Sequence, residues 1–445
     1  MQLRTSYRQI LAISGPIMLG SAVQNVIALT DSVFLYHTSE ADFASIGFVG
    51  VFYLVVAAIG YGFSRGGQIL IARRYGEQSY DRIGRTFYAI LYFELGLALA
   101  LYLFMYYGTP WFFKLFVDSD IIYHKSLEYL STRSWGVFFS YIGVTIVALY
   151  TGIARTWFIV IDTLILALVN IVLNYGFIYG RLGMPEMGIA GAGLASSIAE
   201  AVAFVIFLVY MIQDKHIRQF RIFRLPSIDW DLIKRVVHLG APIVAQSIVG
   251  LGSWFIFFGI VENMGERQLA VTNLVRMVYL ILSIPCWGFA SGVNTLVSNF
   301  IGARKRQAVF PIIWKTAKLC FFVTMFLTIP MTLFPEVLLY PLLGSSDMSL
   351  IQEAKPILKI LLIILALFSV AGVFFSGVVG TGATLFGLMI QALCALLYLV
   401  FVYLVVDVYD AGLVWAWSSE IFYWILVGGI TTWYLRSDRW HYYKF

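Results

Sequence analysis

The sequence predicts an all-α polytopic membrane protein, with twelve transmembrane helices in two six-helix lobes related by a pseudo-two-fold along the membrane normal. Three observations carry this. First, 60% of the 445 residues are hydrophobic and only 12% are charged, against about 25% charged in a soluble domain. So few charges cannot clothe a globule in water, so lipid must be the solvent. Second, apolar segments of membrane-crossing length recur twelve times. Third, the second half repeats the first at an offset of 226 residues.

The twelve spans fall at 13–36, 43–72, 86–107, 133–155, 157–179, 188–213, 237–261, 269–300, 312–334, 356–379, 384–406 and 411–436. Helices are required because a bilayer offers no partner for free backbone groups. The long apolar runs lack the alternation of barrel strands. The 12 Trp and 27 Tyr suit two interfacial belts. Arg4 and Arg8 ahead of the first apolar run imitate a signal peptide, but no clean cleavage site follows, so span 1 is expected to remain uncleaved.

Lys and Arg sort unevenly between the two sides. The N-terminus, the 73–85 loop, Arg155, the 214–235 segment, the 304–318 region and the C-terminus hold 21 of the 30. The other side holds Lys114, Lys125, Arg133, Arg181, Arg267, Lys355 and Lys359, and Arg65 and Arg276 fall inside spans. The positive-inside rule places both termini in the cytoplasm, in the inner membrane. The same topology accounts for the net charge of +6 without nucleic acid.

The repeat is specific. "GYGFSRGGQILIARRYG" (Gly60–Gly76) falls on "CWGFASGVNTLVSNFIG" (Cys286–Gly302) without a gap. Pro16 falls on Pro242 and Glu40 on Glu266. Six spans per copy is an even number, so both copies enter the membrane the same way round. The expected domains are a lobe at 1–213, a basic connector at 214–235 and a lobe at 236–445. Paired bundles around a cleft suit alternating access, and the glycines of "GYGFSRGG" are read as permitting close packing.

Asp31 is the charge that an apolar first helix should not contain. Pro16, Gly20, Gln24 and Asp31 lie within roughly an 80° arc of the helix, and Gln24, Asn25 and Asp31 form a polar stripe. An intramembrane carboxyl is functional by default, and burial favours its protonated form; snorkelling to the outer interface is the alternative. In span 5, Asn170 and Asn174 share a face and serve either as partners of a carboxylate or as helix–helix glue. Asp162 is expected in an ion pair or cap near Arg155 and Thr156. Glu94 and Glu200 are further acids, for which Arg65 or Arg155 would be partners. The second half has Phe257 where the first has Asp31, and carries Glu262, Arg276 and Glu420. Those three either line a substrate cavity or form ion pairs of Arg276 with Glu262 or Glu420. Cys286, Cys320 and Cys394 lie apart in apolar runs and read as small buried hydrophobes.

The motifs resemble the multidrug and toxic compound extrusion (MATE) family over nearly the whole chain. They are a proline early in span 1 followed by "QNVIALTDSVFL", then "GFSRGGQILIARRYGE", "SGVNTLVSNFIGARKR", "ALVNIVLNYGFIYGRLGMPEMGIAGAGLASSIAE" (Ala167–Glu200) and "AGLVWAWSSE". The resemblance implies a V-shaped antiporter that exports amphipathic, often cationic, compounds against H⁺ or Na⁺. It places the coupling carboxylate at Asp31 and its partners at Asn170, Asn174 and Ser196. With Asn174 where many members have an aspartate, a Na⁺ ion at Asp31, Asn170 and Asn174 would have one anionic ligand fewer, which favours H⁺. Pro16 would be the hinge.

The expected partners are small organic cations or amphiphiles and the bilayer. No nucleic acid, nucleotide or cofactor beyond the coupling ion is expected, and a monomer is. No Walker motif, catalytic triad or HExxH sequence occurs, so the chain is not read as an enzyme. The rival function is a lipid or lipid-linked oligosaccharide flippase of the same superfamily. A pyrophosphate-bearing cargo would call for several intramembrane cations, and this chain has more acids than cations in its spans.

Overall fold

The computed structural model describes residues 5–117, 119–336, 339, 348–437 and 440, and within these the side chains of 24–26, 28, 29, 32 and 348 are not described. The expected polar contribution of Gln24 and Asn25 therefore lies outside the described residues. The helices, numbered to match the spans, are α1 (Tyr7–Tyr36), α2 (Glu40–Gly76), α3 (Tyr80–Leu103), α4a (Asp120–Arg133), α4b (Gly136–Gly152), α5 (Trp157–Tyr179) and α6 (Gly188–Gln213). In the second half they are α7 (Trp230–Glu262), α8a (Glu266–Leu282), α8b (Ile284–Gly302), α9 (Val309–Leu333), α10 (Met348–Gly380), α11 (Thr384–Tyr403) and α12 (Leu413–Arg436). Among the described residues, nine helices are by themselves long and apolar enough to cross a membrane, and the bent pairs α4a/α4b and α8a/α8b raise this to eleven. The 30-residue α1 supplies the twelfth.

Two spans are not the straight rods that hydropathy drew. Span 4 turns by 57° between Arg133 and Gly136, and span 8 by 42° between Leu282 and Ile284. At the first bend the Ser197 hydroxyl reaches the carbonyl oxygens of Thr132 and Arg133 at 3.0 and 3.3 Å. Such side-chain bonding is what lets a membrane helix bend without stranding its backbone.

The chain forms two compact units. One is Leu19–Val244, and the other combines Met1–Met18 with Ala245–Phe445. This differs from the sequence division into 1–213 and 236–445. α1 changes unit after Met18 and α7 after Val244, two positions separated by the repeat offset of 226 residues.

Glycines explain the exchange. Within Leu19–Val244, α2 lies on the start of α7: a Cβ on Gly66 would fall 2.5 Å from the Gly240 nitrogen, and one on Gly62 2.7 Å from Val244 Cγ2. Within the other unit, α8b lies on the start of α1: a Cβ on Gly292 would fall 2.1 Å from Ser14 Oγ, and one on Gly288 2.0 Å from Met18 Cγ. Each contact in one unit has its counterpart in the other at the same offset. Between membrane helices no hydrophobic force draws the surfaces together, so close backbone approach through small residues takes that role. The repeat seen in sequence is thus a repeat of contacts.

The 214–235 connector is packed rather than free. Phe220 is fully buried, with its ring 6.3 Å from Tyr75 and 5.6 Å from Tyr80. A Cβ on Gly84 would meet the Phe220 carbonyl oxygen at 2.2 Å. Asp214 pairs with Arg155 at 2.9 Å, and Asp229 caps α7 by accepting from the Leu232 N–H at 3.0 Å.

Candidate functional site

α1 is held along α5 within the first unit. Gly20 leaves room beside Thr163, where a Cβ would sit 3.6 Å from the hydroxyl oxygen. Near the other end, Tyr179 donates its hydroxyl proton to the Phe34 carbonyl at 2.7 Å. Between these two ties sits Asp31. α5 ends at Gly180, whose φ of 65° is a left-handed cap that costs glycine little.

The structure brings together Asp31, Asn170, Asn174 and Ser196. Asn174 donates one amide hydrogen to Asp31 Oδ1 and the other to Asn170 Oδ1 at 3.1 Å. Asn170 in turn donates to Ser196 Oγ on α6 at 3.1 Å. A polar chain therefore crosses from α6 through α5 to α1. Asn170 and Asn174 are 1% and 0% exposed. Asn174 Oδ1 has no hydrogen-bond partner among the described residues, and a buried acceptor left unpaired is costly.

Beside this chain lies a cation that sequence reading left in an outer loop. Arg133, at the end of α4a, is buried and grips Glu200 of α6 with two parallel bonds, Nη1–Oε2 at 2.8 Å and Nη2–Oε1 at 2.6 Å. Its guanidinium lies 3.9 Å from the centroid of the Tyr53 ring, a cation–π contact. The signal available in sequence was an arginine opening an apolar span in the same half as Glu200, one turn beyond Ser196.

Several expected pairings are replaced. Glu200 pairs with Arg133 and not with Arg65 or Arg155. Arg155 is held by Asp214. Glu94 is fully buried and accepts from the Ser64 hydroxyl at 2.8 Å. Asp162, expected in an ion pair or cap, is buried, and its Oδ1 has no partner among the described residues. Arg155 lies where the α6 terminus delivers Asp214.

In the second unit, Phe257 stands in the Asp31 position and is fully buried, 5.5 Å from Trp417 and 6.0 Å from Tyr398 by ring centroids. Glu420 is buried in the company of Tyr279, Tyr398, Tyr423 and Trp424. Among the described residues Arg276 forms no ion pair with Glu262 or Glu420. Arg276 is exposed and 5.2 Å from the Phe258 ring centroid, and Glu262 is exposed as well. Aromatic hydroxyls and rings surround Glu420 where an arginine was expected, and the three residues read as one cavity are not brought into one cluster. Cys286, Cys320 and Cys394 are buried free thiols.

Comparison with known proteins follows the repeat. The MatE family model matches residues 16–176 and 242–404. "Probable multidrug resistance protein NorM" of Thermotoga maritima is 24% identical over 97% of this chain and 93% of its own. The protein of that name from Idiomarina loihiensis is 25% identical over 65% of this chain, and the chain spans only 64% of that relative. Among solved structures, a MOP superfamily transporter from Pyrococcus furiosus aligns with a TM-score of 0.87 at 18% identity, over 98% of this chain and 96% of that one. The outward-facing conformation of a multidrug resistance MATE family transporter aligns at 0.88, with 18% identity and the same coverage. The likeness is of fold, twelve helices in two lobes.

Proposed function

The chain belongs to the MatE family of membrane transporters, and from that premise we propose that it is a secondary antiporter that exports amphipathic, cationic organic compounds in exchange for protons by alternating access. The observation that supports this best is the chain Ser196–Asn170–Asn174–Asp31, present in one unit and replaced by Phe257 at the matching place in the other. Building a lobe does not require the carboxylate, so its function is separate from folding.

Asp31 takes up and releases the coupling proton. In its ionised form it accepts from the Asn174 amide. Once protonated it needs an acceptor, and Asn174 Oδ1, unpartnered among the described residues, becomes one when the amide turns over. Such a turn breaks the bond to Asn170 Oδ1 and passes the change to Ser196 on α6. Pro16 lies two residues before the point at which α1 passes from one unit to the other, and a proline inside a helix removes one backbone bond and eases bending. Pro16 is therefore the hinge of α1.

Protons are favoured over Na⁺ because Asp31, Asn170, Asn174 and Ser196 include a single carboxylate, and a hard cation gains from several anionic oxygens. Glu200 neutralises Arg133, so no free cation is left there for a pyrophosphate-bearing lipid. The protein works as a monomer in the inner membrane, with both termini cytoplasmic.

The test is cationic dye transport in inverted vesicles under imposed ΔpH or Na⁺ gradients. Transport driven by Na⁺ alone removes the proton from the proposal, and transport driven by neither removes antiport.

A further inference from the structure

The packed connector forms a pocket that neither the coupling site nor the repeat uses. It lies between the first turns of α3 and the segment before α7, encloses about 270 Å³, and is lined by Arg85, Tyr88, Ala89, Tyr92, Pro226, Ser227 and Asp229. Its frame is fixed. Tyr88 and Tyr92 donate their hydroxyl protons to the carbonyls of Ile222 and Pro226 at 2.6 and 3.1 Å, and their rings lie 5.7 Å apart. Asp229 is occupied as the α7 cap. Arg85 is exposed at the mouth and is in no ion pair among the described residues.

The connector that supplies Pro226, Ser227 and Asp229 to this pocket carries exposed residues of two opposed kinds. Arg218, Arg221 and Arg224 are exposed and basic. Phe223, Leu225, Ile228 and Trp230 are exposed and apolar, Leu225 at 78% and Trp230 at 66%. Phe223, Leu225 and Ile228 precede α7 and Trp230 is its first residue, so lipid tails along the body of a transmembrane helix do not account for them. The connector nevertheless sits at headgroup depth, because it is tied to the first turns of a membrane-crossing helix. Interleaved arginines and apolar side chains at that depth match a phospholipid on both counts: the cations meet the phosphate and the apolar groups meet the acyl chains. A free phosphate ion would leave the four apolar side chains in water.

We propose that this pocket binds the headgroup of an anionic phospholipid of the adjoining leaflet, with Arg85 on the phosphate and Leu225 and Trp230 among the acyl chains. Because the connector is also packed against α2 and α3 through Phe220, a bound lipid would brace the end of the unit that carries Asp31.

The probe is brominated phosphatidylglycerol, compared with brominated phosphatidylcholine, titrated into vesicles holding the full-length protein. The readout is the part of the Trp quenching that the Trp230→Phe variant lacks. The expected result is stronger quenching by phosphatidylglycerol, with the lipid fraction at half-quenching raised about fivefold in Arg85→Gln, the effect of removing one basic contact near a membrane surface. Arg85→Lys keeps the preference, and both variants keep the wild-type melting curve because Arg85 is exposed. Equal quenching by the two lipids, or an unchanged preference in Arg85→Gln, overturns the proposal. So does loss of the preference on adding millimolar inorganic phosphate, which would mark a site for a small anion.

Discussion

Arg133 and Glu200 face each other through two parallel hydrogen bonds of 2.8 and 2.6 Å, next to the carboxylate on which the coupling account rests. The arrangement places a neutralised ion pair, and not a bare cation, beside Asp31. A bidentate guanidinium–carboxylate pair has fixed geometry as well as charge, so it fixes α4a to α6 where Ser196 and Asn170 must meet.

Breaking that pair should be expensive. Glu200→Gln leaves the buried Arg133 charge without a counter-charge, and the expected loss is about 3–5 kcal/mol. Thermal unfolding in detergent measures it. The double change Arg133→Met/Glu200→Leu should recover most of the loss, because removing both charges together leaves neither unpaired.

Asn174→Asp supplies the second carboxylate that the site lacks. Two anionic oxygens next to each other favour a bound cation, so the variant is expected to respond to a Na⁺ gradient that leaves the wild type unaffected. Dye transport under imposed Na⁺ and pH gradients reads this directly. A variant indifferent to Na⁺ would show that more than one missing charge separates the two ions.

The helix-exchange contacts predict an unequal pair of stabilities. A methyl group on Gly66 meets the backbone of Gly240, whereas one on Gly292 meets the Ser14 side chain, its hydroxyl nearest. Gly66→Ala should therefore cost about 1–3 kcal/mol, the usual range for overpacking, and Gly292→Ala less. Ser14→Ala should partly restore Gly292→Ala and have no effect on Gly66→Ala. Melting temperatures of the four variants test this.

Tyr179→Phe removes the hydroxyl that donates to the Phe34 carbonyl. The expected cost is about 1 kcal/mol, and the loosened end of α1 should alter coupling more than dye affinity. Maximal transport rate and half-saturating dye concentration, read separately, distinguish the two effects.

What the sequence made legible was what periodicity and the repeat encode. Span positions follow from the length of each apolar run, and the glycines of "GYGFSRGG" in α2, read as permitting close packing, do pack closely. Asp31, Asn170, Asn174 and Ser196 could be placed together because helical spacing puts the two asparagines on one face and the family resemblance supplied the other two. Sequence did not show which surface each glycine packs on, so the passage of α1 and α7 between units went unforeseen. Arg133 reads as a loop residue because a span's first residue and a loop's last residue look alike in hydropathy. Its pairing with Glu200 depends on a 57° bend that no apolar pattern records. Asp162 reads as an interfacial ion pair or cap from its place after Arg155 and Thr156, and the structure gives Arg155 to Asp214 at the end of another helix.

The central claim is that Asp31 carries the coupling proton, and one measurement tests it most directly. Inverted vesicles containing wild type or Asp31→Asn are loaded under an imposed pH gradient, and cationic dye movement is followed alongside proton movement. The account predicts that the wild type moves dye with a counter-flow of protons, and that Asp31→Asn folds but loses the coupled movement of both. Coupled transport at the wild-type rate in Asp31→Asn would contradict it.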